Sequence, residues 1–144
     1  MAQIHYTIAG DGQLLLLIHG YPLSRKIFRE QAEVLSDRYQ VITLDRRGFG
    51  DSTAPNGAGS IELYARDMLA LMDELGVSQA IIGGHSMGGI ITQEMYRQAP
   101  ERFLGMLLLD TVAAAPSIIE RNLWLGSARQ SRRRHPVAGA GTVG

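Results

Sequence analysis

The 144-residue chain has no cysteine. Disulfides, zinc–thiolate sites and a cysteine nucleophile are therefore excluded, and the absence accords with a cytoplasmic location. Net charge is also missing, with 14 Lys and Arg against 14 Asp and Glu. Such a surface has no overall attraction to nucleic acid or anionic lipid. Aromatic residues make up only 6% and do not interleave with basic clusters as nucleic-acid modules require. The longest early apolar run, residues 14–18, is far short of the ~20 residues that cross a bilayer. The opening MAQIHYTIAGDG lacks the basic-then-apolar pattern of a secretory signal. No run of acidic or histidine residues suggests a metal. Neither nucleic acid nor a membrane is expected as a partner.

What remains is ordinary globular material, 45% hydrophobic and 19% charged. Residues 3–9 are β-rich and end at the turn Gly10-Asp11-Gly12. Residues 14–18 and 40–44 read as strands buried on both faces. Ser24 is a helix cap candidate, followed by Phe28, Ala32 and Leu35 at helical spacing. After a loop over 47–60, an apolar stripe from Ile61 to Leu75 predicts the best helix. A short strand is expected at 80–82, a helix over 88–99, and a last strand at 104–109. This alternation predicts an α/β architecture, an open, mostly parallel sheet with helices on both faces.

The last stretch breaks the pattern. Residues 127–144 hold four Arg, three Gly and three Ala, and no Leu, Ile, Met or Phe. Two readings stay open, a flexible solvated terminus or an end joined out of frame. The expected division is a partial domain over 1–126 and an atypical tail over 127–144.

Three loops after predicted strands carry the chemistry, at the sheet edge where ligands gather in parallel sheets. Gly84-His85-Ser86-Met87-Gly88 is a G-x-S-x-G sequence between a strand and a helix. Its glycines permit a sharp turn that holds a hydroxyl clear of the sheet, with a helix N-terminus behind it. The plainer alternative is a tight turn with Ser86 as a helix cap. His19-Gly20-Tyr21-Pro22 follows the 14–18 strand and could offer an amide to an oxyanion, or be an ordinary turn. In the loop over 45–52, DRRGFGDS, the two arginines could form an anion site. The favoured reading makes Asp45 and Arg47 loop braces.

Together these loops resemble the α/β-hydrolase fold family. The matching pieces are His19, Gly20 and Pro22, then Asp45, Arg47, Gly48, Gly50 and Ser52, then the elbow Gly84 to Gly89. The wording is similar to esterases, enol-lactonases and cofactor-free haloperoxidases. The resemblance implies that Ser86 attacks an ester or lactone carbonyl to form an acyl-enzyme. It implies that the amides of Tyr21 and Met87 bind the oxyanion, and that no cofactor is needed. It implies supporting roles for His19, Gly20, Gly84, His85 and Gly88. Family members with Asp in place of Ser86 are dehalogenases and epoxide hydrolases, which Ser86 argues against.

The resemblance covers residues 3 to about 125, the N-terminal half of the family's length. The family's acid and histidine come after the nucleophile, the histidine after two further strand–helix units. Only His135 follows Ser86, and nothing between Trp124 and His135 forms such units, so the general base is unknown. Asp110 ends the last strand, where some members place the acid, and a structural role is the expectation here. Without further strands, residues 104–109 would form an exposed edge. That edge predicts a homo-oligomer or a complementing chain. The leading expectation is a serine hydrolase, inactive as this chain if the base is missing. The alternatives are a non-catalytic remnant or interaction module, and half of a split enzyme.

Overall fold

A computed structural model describes residues 2–54 and 59–112 of the chain. Its elements run β1 (Tyr6–Ala9), β2 (Gln13–Ile18), a 3₁₀ turn (Arg25–Phe28), α1 (Arg29–Leu35) and β3 (Tyr39–Leu44). They continue with α2 (Ile61–Glu74), β4 (Ala80–His85), α3 (Met87–Gln98), a 3₁₀ turn (Pro100–Arg102) and β5 (Phe103–Leu109). The atypical tail and His135 lie outside the described residues.

The strands form one sheet in the order β1-β3-β2-β4-β5. β2, β3, β4 and β5 are parallel, and β1 pairs antiparallel with β3. The architecture expected from the sequence is therefore the one found. The apolar run of β2 serves two faces at once, as strand alternation requires. Leu15 and Leu17 pack with Phe28 and Val41 on the side of α1. Leu16 and Ile18 pack with residues of α2 and α3 on the other side, including Tyr64, Met68, Met87 and Ile91.

Local chemistry sets the element ends. Ser60 accepts the Leu63 N–H at 3.1 Å and starts α2. Gly76, at φ 67°, ends it in the left-handed conformation that glycine adopts without strain. Ser24 does cap, but it caps a 3₁₀ turn rather than the α-helix proper. β4 runs on through two glycines to His85, further than its apolar residues indicate. His5 precedes β1 rather than lying in it, and its N–H donates to Ser52 Oγ at 2.7 Å.

β5 closes one edge of the sheet. Among the described residues no strand covers its outer side, and Leu104, Leu107, Leu108 and Leu109 are exposed there. No helix of the described residues is long and apolar enough to cross a membrane.

Candidate active site

β2, β3 and β4 end side by side, and each delivers one of the three loops. The elbow is the sharpest. Ser86 takes φ 53° and ψ −118°, between the last residue of β4 and the first of α3. A non-glycine residue there is strained by roughly 1–3 kcal/mol and persists only where its surroundings hold it. Three bonds do so. The Ser86 N–H donates to Leu109 O at 2.9 Å, and the Ser86 carbonyl accepts Gly89 N–H at 2.9 Å and Thr111 Oγ1 at 2.6 Å. The half-buried Ser86 makes no side-chain cap to α3, so the capping alternative does not describe it.

Close approach explains the elbow's glycines. A methyl on Gly84 would collide with the backbone of Gly88 and Gly89, and one on Gly88 with the Ile18 carbonyl. Gly20 brings the second loop against the first. A methyl there would lie 3.0 Å from Ser86 Cβ and 3.1 Å from His85 Nδ1.

His19 is buried and both of its ring nitrogens are engaged. Nε2 faces the Arg46 N–H at 3.0 Å, and an amide only donates, so Nε2 accepts. Nδ1 therefore carries the proton and donates to Gly20 O at 2.7 Å. Burial, helped by the nearby Arg46 charge, lowers its pKa to about 4 and keeps it neutral. With both nitrogens committed, His19 has no lone pair to offer Ser86. His85 is half-buried, with Nδ1 unpartnered and Nε2 3.8 Å from Asp110 Oδ2. Asp110 takes φ 47° and its side chain is almost fully exposed.

The third loop is braced as its composition suggests. The buried Asp45 carboxylate accepts the backbone N–H groups of Arg25, at 2.7 Å, and Asp51, at 3.0 Å, and pairs with Arg25 Nη1. Arg47 makes a two-bond fork to Asp67 on α2, both bonds 2.7 Å. His5, Asp45 and Asp51 place ligand atoms within 4.8 Å of one another, a grouping their distance in sequence hid. Arg25 already supplies the cation there, bonding both carboxylates. Its hydrogen bond to Asp51 also holds that carboxyl below the usual range.

Arg46, which the sequence offered only as one of two arginines for an anion site, is separated from Arg47 in the structure. It is fully buried and lies between the rings of Phe49 and Tyr64, 4.4 and 5.0 Å from their centres. One open depression, lined by Asp73, Gly76, Val77 and Arg102, lies at the opposite edge of the sheet, away from this site.

The fold and the three loops define a hydrolase core, and comparison gives it a family. The sequence profile of the alpha/beta hydrolase fold family matches residues 13–134, and the chain belongs to that family. It is 38% identical over 120 residues to a provisionally named carbamate hydrolase, RutD, of Azorhizobium caulinodans, covering 83% of this chain and 45% of that one. It is 32% identical over 133 residues to 3-oxoadipate enol-lactonase 2 of Acinetobacter baylyi, covering 91% and 49%. A thermophilic esterase from Thermogutta terrifontis superposes with TM-score 0.84 at 34% identity, covering 94% of this chain and 50% of that one. The chain thus spans about half the length of the relatives it matches.

Proposed function

We propose that this chain carries the nucleophile of a serine hydrolase acting on a carboxylic ester or lactone. The observation that carries the reading is the strained Ser86, held by Leu109 and Thr111, at the N-terminus of α3 and against Gly20. Ser86 Oγ adds to the substrate carbonyl while a base takes its proton. The N–H groups of Tyr21 and Met87 stabilise the resulting oxyanion. Collapse expels the alcohol, which takes the proton, and water then releases the acid. No step calls for a cofactor. The base is unassigned. The family resemblance puts it in the length that the relatives have beyond this match, and a cytoplasmic location belongs to the same proposal.

A second reading is favoured by the exposed leucines of β5. An uncovered apolar edge is a template for another strand. On this reading the chain is an interaction module or one part of a split enzyme, joined along β5 by a second copy or a complementing chain. A monomer in size-exclusion chromatography at high concentration contradicts it.

Treatment with a fluorophosphonate probe, read by intact mass with Ser86→Ala as control, tests the first reading. A stoichiometric adduct on the wild type alone supports it. A folded wild type that takes no adduct removes it for this chain.

A further inference from the structure

The carbonyl oxygen of Gly20 accepts three hydrogen bonds. His19 Nδ1 donates at 2.7 Å, the Leu23 N–H at 3.1 Å and Arg46 Nη2 at 3.2 Å. A carbonyl offers two lone pairs, so this one is saturated, and one of its donors is a cation. The same peptide unit carries the N–H of Tyr21, which the proposed function assigns to the oxyanion.

Arg46 itself is unusual. A buried cation is costly unless an anion pairs with it, yet no carboxylate pairs with Arg46 among the described residues. Its Nη1 reaches Met87 Sδ at 3.6 Å, and its Nε has no partner. Burial lowers its pKa to about 10, against the opposing effect of Tyr64, so it stays charged at neutral pH. A positive charge with two aromatic rings and a carbonyl, but no carboxylate among the described residues, therefore sits behind the elbow. It touches Met87 directly and the Tyr21 peptide through Gly20 O.

We propose that Arg46 is a positioning residue for the oxyanion. Its bond to Gly20 O fixes and polarises the Gly20–Tyr21 peptide, and its charge, which no carboxylate of the described residues pairs, favours negative charge developing on the substrate. Hydrogen bonds in a chain strengthen one another at low local dielectric. A carbonyl that accepts from a cation therefore makes its own N–H the better donor. The inference rests on the reading of Ser86 as nucleophile.

The test compares Arg46→Met and Arg46→Lys with the wild type in the full chain. The rate of Ser86 labelling by the fluorophosphonate is separated into a limiting rate and a half-saturating concentration, alongside thermal unfolding. Arg46→Met is expected to fold at least as stably as wild type, because an unpaired buried cation is removed. Its limiting rate should fall roughly tenfold, less than the ~10²–10³ for losing an oxyanion donor outright. Half-saturation should stay unchanged, and Arg46→Lys should recover part of the rate. The carbonyl ¹³C resonance of Gly20 should move upfield in Arg46→Met, a readout that does not need Ser86 to react. If the wild type takes no label, the Ser86 reading fails, and the Gly20 resonance alone decides the role of Arg46. An unmoved resonance, equal limiting rates, or loss of folded structure in both variants overturns the proposal.

Discussion

His19 Nε2 accepts the backbone N–H of Arg46 at 3.0 Å, tying the end of β2 to the end of β3. That bond exists only while the imidazole is neutral, and neutrality has a thermodynamic consequence. The His19 pKa falls from 6.5 to about 4 in the folded chain. Between those values the unfolded chain binds a proton that the folded chain refuses, so stability rises with pH across this window. The contribution is intact above pH ~6.5 and is lost as pH falls toward 4. Urea denaturation of wild type and His19→Gln at pH 7 and 4.5 should show roughly 2 kcal/mol more acid destabilisation in the wild type. Parallel pH profiles for the two proteins would refute this.

Ser86→Gly should raise stability. Glycine reaches φ 53° without the steric cost that serine bears. Relief of roughly 1–3 kcal/mol of strain, less ~0.5–1 kcal/mol of added unfolded-state entropy, leaves a gain of about 1 kcal/mol. Chemical denaturation measures it. A destabilised Ser86→Gly would mean that the serine side chain is a structural element.

Gly88→Ala should be severe. The new methyl meets the carbonyl of Ile18, which is backbone of the central strand and cannot rotate aside. A loss of at least about 3 kcal/mol is expected, at the upper end for overpacking. Gly76→Ala meets nothing within 4 Å and suffers only its left-handed φ, so it should cost clearly less in the same melt.

Arg47 and Asp67 should couple strongly. Their fork joins the loop after β3 to α2, with side chains only 11% and 12% exposed. Truncating either partner to Ala should cost about 3 kcal/mol, because the other is left unpaired. The double variant should recover a kcal/mol or more of the summed loss. Additive single effects would show that the pair contributes little beyond packing.

The fold was legible because its signals are local. Residues 14–18 are apolar throughout and 40–44 carry Val41, Ile42 and Leu44, as strands covered on both faces require. The stripe from Ile61 to Leu75 placed α2 within a residue or so of its ends, and its cap at Ser60 emerged only in the structure. β4 was harder, since Gly83 and Gly84 carry no strand propensity. They belong to it because a side chain at either would collide, with Leu107 in one case and with Gly88 in the other. The loops of the site were legible as motifs, but their contacts were not. The string DRRGFGDS marks Arg47 as a brace but shows neither its carboxylate partner twenty residues away nor the burial of Arg46 between two rings. Side-chain burial of adjacent arginines is decided by strand alternation and by partners on other elements. The grouping of His5 with Asp45 and Asp51 escaped for the same reason.

The contact between Gly20 and Ser86 also bears on how such a site can change over time. With Gly84 and Gly88 pressed on backbone and Gly20 on Ser86, single substitutions at these positions are blocked before selection on substrate can act. Variation in what the site accepts must then enter from side chains that end in open space. Asp110 is one among the described residues, its carboxylate exposed beside His85. The packed turn is closed to change by its geometry, and its rim is where novelty can enter.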